Sequence, residues 1–281
     1  MIIECVVNLS EGRDETVLAP LAAAAGPTLL DLHRDPDHHR SVLTLAGPPD
    51  DVVDGVRSLA TAAVAALDLT GHVGAHPRLG VLDVVPFVPY DPGRPPPTDL
   101  GAVTARRDEF ARWLAETLGV PSFLYGPLTG GQTRTLPQVR RGAFTEIPPD
   151  FGPGRAHPSA GATAVGARPV LVAYNLWVSS DAVARLVAPL VRGPLVRALG
   201  LTVGAGSQVS CNLIDPAQLG PAQLYDAVAV EVERAGGAVL GAELVGLIPE
   251  SVLDPIAPGR WPELGLNAES TVEATLDRQR R

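Results

Sequence analysis

One order of local patterns occurs twice in this chain, and it constrains the fold more than any single motif does. Residues 2–7 read as a strand, NLSEGRD supplies turn and capping residues, and a helix follows at 15–25. LLDLH at 29–33, the polar turn RDPDHHR at 34–40 and SVLTLAG from 41 read as a hairpin that Pro48 and Pro49 end. DVVDGVRSLATAAVAALDL has apolar positions at helical spacing, with acids near the positive end of its dipole, and VLDVVPFVP then reads as a buried strand. The later part repeats this order, with a strand at about 168–178, a helix at 180–198, strands near 200–204 and 208–215, a helix at 220–235 and a strand at 238–248. Pro189 should kink or split the first of those helices.

The order β-α-β-β-α-β is that of a split βαβ layer. The expected class is therefore α/β (α+β), with two ferredoxin-like βαββαβ subdomains and a ligand cleft between them, since pockets favour domain interfaces. Between the repeats lie the proline-rich DPGRPPPT at 91–98, a helix at about 101–118 and a short strand SFLYG. From 127 to 166 the chain is punctuated by Gly, Pro and Thr, with one short helical stretch near 136–141. The expected division is residues 1–141 as the first subdomain, 142–166 as a connector and 167–281 as the second. A long unstructured connector is uncommon and usually functional, so GPGRAHPSAG at 152–161 is read either as a binding segment or as a passive linker.

Charge and composition narrow the function. With 31 acidic against 22 basic residues the net charge is -9, and every permanent side-chain cation is an arginine. An acidic chain without a basic tract lacks the patch that dominates nucleic-acid binding, so no nucleic-acid partner is expected. Arginine forks remain suited to carboxylates. Cys5 and Cys211 stand far apart in apolar, strand-like surroundings and read as buried free thiols. Neither a signal-peptide pattern nor a run of about 18 uninterrupted apolar residues is found, so a cytoplasmic protein with no membrane partner is expected.

The stretch GHVGAHPRLGVLDVVPFVP, residues 71–89, sets a glycine-bracketed polar loop against the strand-like run. Pro77 biases His76 toward extended backbone, and Gly74 and Gly80 permit tight turns on either side. A histidine on such a loop is a candidate general acid/base, and a hydrogen-bonding structural residue is the competing reading. HRDPDHHR at 33–40 gathers three histidines and two carboxylates of the kind that bind divalent metals. A tight hairpin tip seldom aims all of these at one point, so a solvated turn is favoured and no metal is expected. VGAGSQ at 203–208 lacks the spacing of a phosphate loop, no GxSxG elbow occurs, and Ser10 reads as turn or cap chemistry.

Taken together these motifs resemble the formiminotransferase family, found in the N-terminal half of formiminotransferase-cyclodeaminase and in shorter bacterial proteins. ECVVNLSEGRD is similar to the family's ECVPNFSEGR, and GAHPRLGVLDVVPFVP to its GEHPRMGALDVCPFIP. DPDHHRSVLTLAGPP, LYG, RTLPQVRRGAF, DFGPGRAHPSAGATAVGAR, QVSCNLID and VLGAELVGLIP follow in the family's order. Two positions depart from the pattern: Ala75 stands where the family usually has Glu, and His39 makes DPDHNR into DPDHHR.

The resemblance implies transfer of the formimino group of N-formimino-L-glutamate to N5 of tetrahydrofolate, with release of glutamate, in histidine degradation. It implies tetrahydrofolate as co-substrate and His76 as the catalytic histidine. It also implies that Gly152, Pro153, Gly154, Arg155, Ala156, His157, Pro158, Ser159, Ala160 and Gly161 form the folate-binding stretch. A homodimer without a fused cyclodeaminase is expected. Arg40, Arg78 and Arg168 are the candidates for binding substrate carboxylates. A glutamate formyltransferase using N-formylglutamate and a non-catalytic folate-binding protein are the alternative functions.

Overall fold

A computed structural model of the chain describes residues 2–74 and 78–280. The chain forms two compact units, one of residues up to Tyr90 together with Pro97–Arg168, the other of Asp91–Pro96 together with the residues from Pro169 onward.

The first unit opens with β1 (Ile2–Leu9), α1 (Glu15–Ala24), β2 (Leu29–Asp35), β3 (Arg40–Gly47), α2 (Pro49–Ala66) and β4 (Leu82–Tyr90). β1 lies between β3 and β4, antiparallel to both, and β2 pairs with the outer edge of β3. This is the ferredoxin-like plan. All nine residues of β4 are buried, which is why its sequence is almost continuously apolar instead of alternating.

Further strands continue this sheet past β4. After α3 (Gly101–Leu118) come β5 (Ser122–Pro127), β6 (Thr133–Arg134), α4 (Leu136–Gly142) and β7 (Thr163–Ala167). β7 inserts between β4 and β5, parallel to both. The sequence reading expects no strand in TAVGA, and its small residues explain why. A Cβ on Gly166 would stand 2.0 Å from the Tyr125 ring, so the strand is specified by close packing rather than by apolar bulk. The helices cover one face of the sheet, where Val52, Val56, Phe110 and Leu114 pack on Cys5, Leu45, Val85, Phe87 and Val165. On the other face a smaller cluster joins Val84, Phe123, Tyr125 and Val139, with Phe123 edge-on to Phe144.

The second unit contains β8 (Val172–Val178), α5 (Asp181–Leu190), β9 (Val196–Val203), β10 (Gly206–Leu213), α6 (Pro221–Arg234) and β11 (Val239–Val245). Its strand order, β11-β8-β10-β9, is the same plan, antiparallel throughout. α5 stops one residue after Pro189 and does not run on to about 198, and β9 begins earlier than expected, at Val196. Two short helices follow, α7 (Glu250–Leu253) and α8 (Val272–Gln279). Among the described residues no helix is long and apolar enough to cross a membrane.

Candidate active site

Three connections of the first unit meet at the end of the sheet where β1 finishes. Gly12 makes this possible: a Cβ there would stand 2.2 Å from the Asp35 carbonyl oxygen and 2.4 Å from the Arg40 nitrogen. Only glycine lets the opening turn lie against the hairpin so closely. Ser10, read from sequence as turn chemistry, is buried and ties two loops together: its N–H donates to Val81 O and its hydroxyl to Gly80 O, both at 2.8 Å. Glu11 Oε1 accepts the N–H groups of Gly12, Arg13 and Asp14 at 2.8, 2.6 and 3.0 Å and lies 3.3 Å from His39 Nε2. Burial alone would raise the Glu11 pKa, but the N–H groups of Asp14 and Arg13, the His39 ring and the Gly12 N–H together hold it below the usual value.

The histidines of the hairpin do not converge as metal ligands would. Among the described residues no three His, Cys, Asp or Glu side chains form such a group. His39 instead takes a left-handed backbone (φ 50°) and stacks on His72 with ring centroids 4.0 Å apart. His39 Nδ1 is 3.1 Å from Val73 O, and Arg78 donates to the carbonyls of His39 and His38, each at 3.1 Å. Arg78 Nη1 also lies 2.7 Å from His72 Nε2. Burial, then the Arg78 charge, then His39, lower the pKa of His72. Ser10, Glu11, His39, Leu67, Thr70 and His72 help to line an open cavity of about 420 Å³.

Beside this lies a cluster of arginines around one carboxylate. Opposite Leu9 and Asn8, β4 places Leu82 and Val84, which leaves Asp83 as the extra residue of a β-bulge. Asp83 is 2% exposed. It accepts Leu79 N–H at 2.7 Å and both ends of the Arg140 fork, at 2.6 and 3.3 Å. α4 holds Arg140 in its last turn and begins with a capping box at Thr135 and Gln138. Arg40, first residue of β3, donates to Asn8 Oδ1, and its Nε is buried without a hydrogen-bond partner among the described residues. Burial and the charges of Arg140 and Arg78, opposed by Asp83 and Asp35, lower its pKa to about 10, so Arg40 remains cationic at neutral pH.

The sequence-derived candidates divide accordingly. Arg40 and Arg78 lie together in this cluster. Arg168 donates its N–H to Phe87 O, about 13 Å along β4 from Asp83, and lies near Cys5 and Tyr125. His76 lies outside the described residues. The stretch 152–161 splits in two. Residues 152–156 are exposed, whereas Gly161 (φ 72°) is buried against Leu79 and Gly80, where a Cβ would meet the Leu79 carbonyl oxygen at 2.3 Å. His157 and Gly161 exchange backbone hydrogen bonds, and His157 Nδ1 accepts Ala160 N–H at 3.0 Å. Leu69 N–H donates to Ser159 O and Val81 N–H to Ala160 O, so residues 159–161 bridge both ends of the loop that carries residue 76. Sequence reasoning missed Asn8, Asp83 and Arg140. Asp83 did leave a signal, as a charge inside an otherwise apolar strand.

Residues 2–168 match the family model described as the formiminotransferase domain, N-terminal subdomain. The chain belongs to the formiminotransferase family. It is 34% identical to glutamate formimidoyltransferase of Streptococcus pyogenes serotype M1, with 91% of this chain and 92% of that protein covered. A Thermoplasma acidophilum protein of the same name is 30% identical, with 91% of each chain covered. Formimidoyltransferase-cyclodeaminase of Sus scrofa is 36% identical over 91% of this chain and 52% of its own length. The formiminotransferase match spans every residue of the arginine cluster and the 152–161 stretch.

Proposed function

We propose that this chain is a glutamate formimidoyltransferase, moving the formimino group of N-formimino-L-glutamate to N5 of tetrahydrofolate and releasing L-glutamate, in histidine degradation. The observation that carries the reading is the backbone bridge from residues 159–161 to both ends of the residue-76 loop, with Arg40 and Arg78 beside it. This supports the reading because the resemblance gives folate binding to residues 152–161 and proton transfer to His76, while arginine chemistry makes Arg40 and Arg78 candidates for the carboxylates. Relatives covered along most of their length carry this activity in their names, and those names specify formimidoyl rather than formyl transfer.

Residues 152–156 are assigned to the folate on the family resemblance; Gly154 has open space around it and Arg155 is exposed. Tetrahydrofolate supplies the nucleophile, its N5 amine. As the new C–N bond forms and the bond to the glutamate nitrogen breaks, one proton leaves N5 and one joins the departing nitrogen. His76 is assigned both transfers, and the arginines hold donor carboxylates so that the formimino carbon is correctly oriented. The same reading makes the enzyme a cytoplasmic homodimer.

The test is a tetrahydrofolate assay with N-formimino-L-glutamate and N-formyl-L-glutamate supplied separately. Turnover with the formimino donor, and at most a small fraction of it with the formyl donor, is expected. Preference for the formyl donor would replace the reading by formyl transfer, and folate binding without turnover of either would replace it by a binding protein.

A further inference from the structure

Arg40 is half-buried and cationic, yet its side chain donates to a neutral amide, Asn8, and its buried Nε–H has no acceptor among the described residues. Asp83 is the carboxylate that acts most strongly on Arg40, but both of its oxygens are taken by Arg140, and Oδ1 also holds the Leu79 N–H. Asp35, the other carboxylate near Arg40, caps its own turn by accepting the N–H groups of Asp37 and His38 at 2.9 and 2.8 Å. We propose that Arg140 is a positioning residue that holds Asp83 away from Arg40, so that Arg40 stays open to a carboxylate of the amino-acid donor. The inference rests on the glutamate-donor reading above and adds to it a reason for the bulge and for the fork.

The arrangement solves a problem that any buried carboxylate-binding arginine faces. An internal acid near enough to stabilise the cation in the empty site is also near enough to occupy it. A bidentate guanidinium on that acid fixes its position and satisfies its lone pairs, leaving its field but not its hydrogen-bonding capacity to act on Arg40. Without Arg140, Asp83 gains a charged hydrogen bond by turning to Arg40, and the site closes on itself. The two possible sources of a ligand carboxylate are the amino-acid donor and the glutamyl tail of the folate. Direct attachment of the Asp83-bound backbone at Leu79 to Arg78 and the residue-76 loop favours the donor.

Calorimetric titration of the full chain with L-glutamate and, separately, with p-aminobenzoyl-L-glutamate tests this. Arg40→Gln and Arg140→Gln should each weaken L-glutamate binding by about tenfold or more, as loss of a charged hydrogen bond predicts. The double variant Asp83→Asn with Arg140→Gln should recover binding to within about threefold of the parent chain, because the competing charge has gone. A purely structural role for the pair gives no such recovery. If Arg140→Gln fails to fold, Arg140→Lys, which keeps the charge but loses the fork, replaces it in both measurements. Unchanged glutamate affinity in a folded Arg140 variant, a double variant no better than the single one, or an effect confined to p-aminobenzoyl-L-glutamate would each overturn the proposal. The predicted glutamate pattern in a chain that turns over no formimino donor would support the subsite while overturning the assigned reaction.

Discussion

At the sheet end where β1, β2 and α2 finish, the first unit places residues 10–14, 36–39 and 67–81 in its three connections; at the corresponding positions the second unit uses 179–180, 204–205 and 235–238. The strand order between these connections is the same in both units. In the second unit Ser180 caps α5 within two residues of β8, accepting Val183 N–H, and Gly204 (φ 56°) turns the hairpin. In the first unit the extra length carries Glu11, His39, His72 and Arg78, in contact with one another, and Ser10, which bonds Gly80 and Val81. The same four-strand plan therefore carries a cluster of polar side chains in one unit and plain turns in the other, and the connections differ in length.

The strongest way to break this contrast is substitution within the long loop against substitution within a short one. His76→Ala should lower turnover by about 100-fold or more, the usual loss on removing a general acid/base. Ser180→Ala should leave turnover unaltered and cost about 1 kcal/mol of stability, the value of a helix cap. Formimino-transfer rates and thermal melts of the two variants measure both effects. Near-parental turnover by folded His76→Ala would remove the histidine from the chemistry and would make loop length an unreliable guide to function here.

How much of this was legible in sequence depends on the range of the interactions concerned. Both repeats, the hairpin and α3 follow from periodicity and from Gly and Pro punctuation, which are local signals. β7 was not legible, because Thr163–Ala167 is a strand only by virtue of its neighbours β4 and β5. Arg40 and Arg78 could be offered as carboxylate binders from side-chain chemistry, but their company could not. Arg140 reaches Asp83 across 57 positions of the chain, and Asp83 is re-aimed by a bulge that no local pattern announces. Nor does sequence show that Gly161 lets the backbone of Leu79 and Gly80 approach so closely.

This close approach yields a second comparison of positions with matched backbone. Gly161 and Gly236 have nearly the same left-handed backbone, φ 72° and 71°. A Cβ would meet backbone at 2.3 Å at Gly161, whereas nothing lies within 4 Å at Gly236. Gly236→Ala should therefore cost only the conformational penalty, about 1–2 kcal/mol. Gly161→Ala adds a clash with main chain that cannot rotate away, and should destabilise the first unit by several kcal/mol, on the order of ~3 or more. Urea denaturation followed by hydrogen exchange in peptides from each unit separates the two. Equal costs would mean that the bridge at residues 159–161 gives way easily and does not hold the loop.

The smallest expected effect uses proton concentration in place of mutation. All six histidines fall before residue 168, so lowering the pH from 7.5 to 5 addresses imidazoles in the first unit alone. His72 is held below its ordinary pKa by burial, by Arg78 and by His39, which means that folding favours its neutral form. In the unfolded chain it regains a value near ~6.5, so below that pH the unfolded state binds the extra proton and stability falls until the lowered folded value is passed. Glu11 acts in a lower window: its depressed pKa stabilises the fold above the ordinary carboxylate value and loses that contribution only as pH falls through the folded one. Between pH 7 and 5, exchange in peptides from residues 2–74 should therefore quicken while that from residues 172–245 stays level once corrected for intrinsic pH dependence. His72→Gln should flatten the response of the first unit. A response that persists in this variant would assign it to another histidine, and an equal response in the second unit would show that the long loops do not confer it.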